Sequence, residues 1–349
     1  MAGRGNKQEE FWAEVQRVVM SIRPKLRRAI AFLNGKGGTG KTSSCANIAA
    51  TLANIMAKAQ STRRVLVMEF DVQGNLKADL GIKGTAEDDD GQSMLTAVMG
   101  TGGLVVVRDV RPNLDLVPSG EALKRVVRFL ASSSDKERIE AWLSFAQAVA
   151  AIADEYDYIF LDCPPGDEEL QKLAMVLGQW IIIPTVFDKA SRWGLELVGK
   201  LFDAVDGVNE EVDVLGVLMF GFERREERLI KDKETGAVVE IKEVGQRLRL
   251  RRALEADLAR GESDAPVFAA VIGSSKAVAE VCRQLGRVAY EVADLVASDE
   301  WPTTSKTLAK QLAGKVSITQ PTVEALATDY ENAAIEIASR IRKLEGAAA

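Results

Sequence analysis

The chain alternates short, uninterrupted apolar runs with longer stretches of helical periodicity. Ala29 to Asn34 (AIAFLN) is an apolar run that ends in a glycine-rich turn. An Ala-rich helical pattern follows from Lys41 to about Lys58, then a second apolar run, Val65 to Phe70, and a turn at Val72-Gln73-Gly74-Asn75. Strand, glycine loop, helix, strand makes a βαβ unit. Leu114 to Val117, Tyr158 to Leu161, Trp180 to Ile183 and Val212 to Phe220 read as further strands, and Ser134 to Ala153 as one long helix. Runs that are apolar throughout belong to strands covered on both faces. The pattern predicts an α/β fold: a mostly parallel, twisted central sheet flanked by helices.

Other stretches interrupt this rhythm. Phe11, Val15, Val18 and Val19 recur at helical spacing and Arg23, Lys25, Arg27 and Arg28 follow, so residues 1–28 read as a basic helix or arm. Residues 84–92 (GTAEDDDGQ) are acidic and predict a solvated loop. Residues 222–262 are densely charged around Thr235-Gly236, which suits a hairpin or helical excursion. After a turn-rich linker from Ser298, helical patterns return near 304–313 and 322–345. The expected organisation is an arm at 1–28, a main α/β domain at 29–297 with 222–262 as a charged insertion, and a helical C-terminal extension at 298–349.

Composition narrows the chemistry. The 349 residues include no histidine, which excludes Ser-His-Asp and Cys-His catalysis, imidazole zinc sites and histidine pH switches. The net charge of −6 is not that of a polycation, although a local basic face remains possible. Cys45, Cys163 and Cys282 are far apart with no C-x-x-C, so neither a disulfide framework nor a thiolate metal site is indicated. The N-terminal stretch lacks the apolar core of a signal peptide, and no apolar run approaches the ~20 residues of a membrane span. A soluble intracellular protein is expected.

Gly35-Lys36-Gly37-Gly38-Thr39-Gly40-Lys41-Thr42 satisfies G-x-x-x-x-G-K-[ST] between a predicted strand and a predicted helix. Glycines let backbone N–H groups turn inward around phosphates, with Ser43 continuing the cradle. Lys41 would reach the β and γ oxygens, and the Thr42 hydroxyl would coordinate Mg²⁺. The expected ligands are a nucleotide and Mg²⁺. The alternative, a glycine-rich turn without ligand, does not account for the strand-to-helix setting. Asp162 ends the apolar run Tyr158 to Leu161, and Asp71 ends the run Val65 to Phe70. Both carboxylates fall at C-terminal strand edges, where α/β sheets bind ligands. Asp162 would hold the Mg²⁺ shell through water, as Asp71 also could. The alternative for each is a loop-starting or helix-capping Asp, a reading that two such carboxylates beside one P-loop weaken.

These residues resemble the ParA/MinD family of P-loop ATPases, and within it the ParA-type partition proteins. Lys36 stands at the second lysine of the deviant Walker A motif, K-G-G-T-G-K-T. Asp71-Val72-Gln73-Gly74-Asn75 is similar to the family's D-P-Q-G-N switch segment. Tyr156 to Gly166 (YDYIFLDCPPG) is similar to its Walker B strand and second switch. Weaker echoes lie at Asn113 to Ser119, Ile183-Pro184-Thr185 and Val267 to Glu280, so the resemblance spans roughly 29–297. There are departures. Glu69 replaces the first Asp of D-x-D, Val72 the usual proline, Cys163 a common Thr, and Gly273-Ser274-Ser275 the Pro-Arg-Asn segment near the adenine.

The resemblance implies a Mg²⁺-dependent ATPase with slow basal turnover. Lys36 would act across an ATP-sandwich homodimer, beside Lys41, and Asp71 would orient the attacking water. It further implies non-specific DNA binding in the ATP state, a ParB-like or adaptor activator, and positioning of a plasmid, chromosome region or other cargo in a cytoplasmic, nucleoid-associated setting. Arg224, Arg225, Arg228, Arg247, Arg249, Arg251 and Arg252 are the candidate DNA contacts, Arg247 and Arg251 sharing a helix face at i, i+4. A solvated face paired with nearby glutamates is the simpler account of such a charge run. The P-loop begins earlier than in the longer partition proteins with an N-terminal helix-turn-helix domain, so sequence-specific DNA reading is not expected. A membrane-positioning ATPase like MinD is the alternative, with Ile337, Ile341 and Leu344 beside Arg340, Arg342 and Lys343 in the last helix. A helix packed on the body explains that pattern more simply. Iron–sulfur relatives would need paired cysteines, and a biosynthetic ligase a substrate pocket that no motif marks.

Overall fold

The computed structural model describes residues 2–186, 193–223, 227–231, 238–260, 264–311 and 318–348. Helix α1 (Ala2–Ile22) leads through a 3-10 turn (Arg23–Lys25) into β1 (Ala29–Phe32) and α2 (Lys41–Lys58). β2 (Arg64–Glu69) precedes the short helices α3 (Asn75–Asp79) and α4 (Gln92–Val98), then β3 (Val107–Arg111) and β4 (Leu114–Val117). α5 (Leu123–Ser132), α6 (Asp135–Ala153), β5 (Tyr156–Asp162), α7 (Glu168–Leu177) and β6 (Trp180–Thr185) follow. Next come α8 (Trp193–Val205), β7 (Asp213–Phe222), β8 (Glu227–Lys231), β9 (Val238–Glu243) and α9 (Gly245–Arg260). β10 (Val267–Gly273), α10 (Lys276–Leu285), α11 (Ala289–Ala297), α12 (Trp301–Gln311) and α13 (Gln320–Ala348) complete the chain.

Eight strands form one sheet in the order β10-β7-β6-β1-β5-β2-β4-β3. Every pairing is parallel except β3 with β4. β1 lies centrally between β5 and β6. Its four residues are fully buried, as the apolar run Ala29 to Phe32 requires when both faces are covered. Two apolar layers sandwich the sheet. One joins Leu66, Phe70, Phe145 and Leu173, and the other joins Ile48, Phe160, Val292 and Ile337. β8 and β9 form the separate antiparallel hairpin expected inside 222–262, followed by α9; the Thr235-Gly236 turn lies outside the described residues.

Both flanks of the main domain pack into it. α1 buries Val15 and Ile22 and lies against α6. Arg23 is buried, donating to the carbonyls of Val176 at 3.0 Å and Leu177 at 3.4 Å and so capping the end of α7. Burial lowers its pKa to about 10. Lys25 pairs with Asp154 at 2.6 Å and Arg28 with Glu345 at 2.7 Å. The basic cluster of the arm is thus mostly spent on internal contacts, and Arg27 is the one left exposed without such a pair. α13 packs on α2, α11 and β10, with Ile337 and Ile341 buried and Leu344 exposed. Each buried isoleucine contributes about 1.5–3 kcal/mol where it sits. That opposes its transfer to a membrane. Among the described residues, no helix is long and apolar enough to cross a bilayer.

The acidic loop differs from expectation. Asp88 is not simply solvated: it accepts from the buried Lys77 of α3 at 2.6 Å and from the Gly84 N–H at 3.0 Å. Asp89 accepts from the Gly91 and Ser93 amides and caps α4. An acidic run reads as solvent-facing only while its buried cation is unknown.

Candidate functional site

The glycine loop leaves β1 and enters α2 at Lys41. Asn34 anchors its start, donating to the Pro184 carbonyl of β6 at 2.8 Å and accepting from the Lys36 N–H at 3.0 Å. Gly38 and Gly40 have φ of +77° and +86°, so L side chains are disfavoured at both positions. A Cβ on Gly40 would also lie 2.4 Å from the Phe220 ring, and one on Gly35 2.6 Å from Leu197. β7 and α8 therefore press on the loop from behind, and its amides face a cavity of about 270 Å³. Residues 37–43, Asp71, Asn75, Pro165 and Arg283 line that cavity.

Of the residues named from the motifs, Gly37 to Ser43 and Asp71 line the cavity, whereas Gly35, Lys36 and Asp162 are not among its lining residues. Lys41 is buried and folds over the loop, its Nζ donating to the Lys36 carbonyl at 2.8 Å. Burial lowers its pKa, opposed by the charges of Asp162, Cys163 and Asp71. Asp162, at the end of β5, is completely buried, and neither carboxylate oxygen has a hydrogen-bond partner. The Thr42 hydroxyl faces it without closing a bond of good geometry. Burial, with Glu69 and Asp71 nearby, holds the Asp162 carboxyl well above the usual range; Thr42 and Lys41 offset only part of this. An orphaned buried carboxylate beside a threonine hydroxyl is costly unless a cation completes it. Oxygen donors on a glycine cradle fit Mg²⁺, a hard cation. Thr42 and Asp162 are the residues that would hold it.

Asp71 follows β2 and turns its Oδ1 onto the Gln73 N–H at 3.0 Å. Its carbonyl accepts the Ser119 hydroxyl. Glu69 is fully buried and accepts from the Leu76 N–H at 2.6 Å, tying β2 to the start of α3. Burial pushes its pKa up to about 7. Gln171 of α7 donates to the Pro164 carbonyl at 2.8 Å, and Asp167 caps α7, so the turn after β5 is held by α7. The three cysteines are buried thiols, and burial raises the pKa of each.

The arginine cluster divides. Arg247 and Arg251 do share a face of α9, but that face turns inward: Arg247 is 8% exposed and Arg251 donates to the Phe268 carbonyl at 2.9 Å. Arg249 and Arg252 are exposed. Arg228 lies on β8, while Arg224 and Arg225 lie outside the described residues. Three contributors were not among the site residues predicted from sequence. Asn75 and Pro165 belong to the quoted motif segments, so their spacing was available. Arg283 arrives from α10, some 240 residues beyond the loop, and no spacing announces it.

A family profile described as an AAA domain matches residues 27–214, more than half of the chain. The chain belongs to the ParA/MinD family of P-loop ATPases. An uncharacterised protein of Mycobacterium tuberculosis (strain ATCC 25618 / H37Rv) is 31% identical over 199 residues, 57% of this chain and 59% of its own length. The match thus spans less than two thirds of that relative. The chromosome partitioning protein ParA of Myxococcus xanthus is 29% identical over 228 residues, 64% of this chain and 70% of the relative. Among solved structures, an ATP complex of a Cyanothece McdA variant aligns with a TM-score of 0.57 at 16% identity, over 84% of this chain and 98% of that one. The cell division ATPase MinD of Pyrococcus furiosus aligns at 0.52 and 18% identity, over 91% and 99%. At these identities the structures establish the shared fold.

Proposed function

We propose that this chain is a Mg²⁺-dependent ATPase whose ATP state is a homodimer that binds DNA non-specifically and positions a large cargo, hydrolysis being stimulated by a partner protein. The observation that carries the reading is Lys36. It is a second lysine in a phosphate cradle that already has Lys41 folded over it. In ParA/MinD proteins a lysine at this position reaches across the dimer to the partner's nucleotide, and Lys36 is read in the same way. The relatives named as partition proteins support the positioning role. The expected ATPase unit is 29–297, with 222–262 inserted and the two flanks docked, in a cytoplasmic, nucleoid-associated setting.

Within such a dimer Lys41 and the partner's Lys36 would offset charge spread over the transferring phosphoryl group. Asp71 would orient water, and Thr42 and Asp162 would hold the metal. The bound Mg²⁺ supplies charge neutralisation at the phosphate oxygens. No residue needs to titrate near neutral pH, which suits a chain without histidine and a slow, partner-controlled turnover.

Among the DNA candidates whose side chains are described, Arg249 and Arg252 are exposed, and a homodimer would double them. Phosphate-driven binding falls steeply with salt. Two measurements test the reading. Sedimentation with ATP should show dimers for the wild type and none for Lys36→Ala or Lys41→Ala; ATP-induced dimers of Lys36→Ala would refute the trans role. DNA retention should require ATP rather than ADP. ATP-dependent sedimentation with liposomes instead of DNA would favour the membrane class.

A further inference from the structure

Arg283 is the one cationic side chain at the cavity that no motif accounts for. It comes from α10 and lines the cavity together with the glycine loop, Asp71 and Asn75. Its side chain is 48% exposed. Its Nε donates to Asp79 Oδ1 at 2.8 Å and its Nη2 to Oδ2 at 3.4 Å. Asp79 ends α3, the helix that follows the Asp71 switch segment, and is itself buried. The two helix ends meet backbone to backbone. A Cβ on Gly286 would lie 2.5 Å from the Gly81 Cα, and Arg111 ties both ends by donating to the Leu80 carbonyl at 3.1 Å and the Gly286 carbonyl at 2.7 Å. The position of Arg283 relative to α3 is therefore fixed by backbone contact and does not depend on the Asp79 pair alone.

We propose that Arg283 is a phosphate-contacting residue of this site, exchanging its ion pair with Asp79 for an oxygen of a bound nucleoside polyphosphate. This rests on the nucleotide reading above. Arg283 is half-exposed but Asp79 is buried, so the exchange leaves a buried carboxylate without its partner, a cost that the phosphate contacts must outweigh. An arginine fork on phosphate makes stronger, charge-assisted hydrogen bonds. The exchange also has a consequence for the switch. Burial raises the Asp79 pKa and Arg283 opposes that. When Arg283 turns to phosphate, Asp79 loses its counter-charge, so α3 registers whether the cavity is filled.

Titration calorimetry of the full chain with ATP and Mg²⁺ tests this with three variants. Arg283→Gln should bind ATP about tenfold more weakly, the loss of one charge-assisted contact. Arg283→Lys, which keeps the charge without the fork, should fall between. Asp79→Asn frees Arg283 and should bind as tightly as the wild type or more so. A purely structural pair predicts otherwise: Arg283→Gln and Asp79→Asn would then weaken binding equally. That result, or wild-type affinity in Arg283→Gln, overturns the inference. If the wild-type chain binds no ATP, the nucleotide reading falls and takes this inference with it.

Discussion

Replacing Gly40 by Ala perturbs the point where the glycine loop becomes α2, and the structure sets the size of the effect. Gly40 has φ of +86°, a left-handed conformation that costs an L residue about 1–2 kcal/mol. The new Cβ would also lie 2.4 to 2.5 Å from three ring atoms of Phe220, where carbon contacts prefer about 3.5–4.0 Å. Moving the ring by an ångström is overpacking, which costs about 1–3 kcal/mol. Alanine returns about 0.4–1 kcal/mol by restricting the unfolded chain. The net loss should be about 1–4 kcal/mol, within the margin of a typical domain, so the variant folds at 25 °C. Urea unfolding followed by tryptophan fluorescence measures it. In a Phe220→Ala background only the backbone cost remains, and the same substitution should lose about 1–3 kcal/mol less. An equal loss in both backgrounds would refute the steric argument. A loss too small to measure in wild type would refute the backbone argument as well.

Asp71→Ala should bind ATP and dimerise but hydrolyse it far more slowly, seen as a persistent dimer in sedimentation with phosphate release near background; normal turnover would remove Asp71 from the water-orienting role. Glu69, buried with a pKa of about 7 against an ordinary 4.5, holds its proton in the folded state after the unfolded chain has lost it. Without added Mg²⁺ the group should therefore reduce stability as pH rises from about 4.5 to about 7, reaching about 3 kcal/mol and then levelling. Glu69→Gln should flatten that slope in urea titrations, and an unchanged slope would contradict it. Glu336 of α13 accepts from the Ala269 and Ala270 N–H groups of the edge strand β10 at 3.0 and 2.8 Å. Glu336→Ala should cost about 1–2 kcal/mol and speed hydrogen exchange at those two amides, and unchanged exchange would show that Glu336 does not protect them.

The sheet was legible because continuous apolar runs have one stable use in a chain of this type. β4 and α2 fall where the pattern puts them, and most other strands differ only at their ends. β10 was seen only as a motif echo, although Val267 to Ile272 is apolar throughout; its exposed Ala269 suits a strand at the sheet's edge. The short helices α3 and α4 are too brief for periodicity and depend on Glu69, Lys77 and Asp89 for their ends.

For the site, the sequence by itself determined the parts whose spacing is local. The loop from Gly35 to Ser43, with Asp71 and Asp162 at strand ends, follows from chain order and the parallel βαβ rule. Tertiary structure alone decided which charges face inward. Helical spacing placed Arg247 and Arg251 on one face but could not say that the face is buried. Nor could it say that Arg23 plugs α7, or that the acidic loop closes on Lys77. Arg283 joins Asp79 across 204 positions of sequence, through a packing of α10 on α3 that no local pattern records. Periodicity specifies how an element contacts itself and its sheet. The partner of a long charged side chain is set by whichever distant backbone the fold brings within reach.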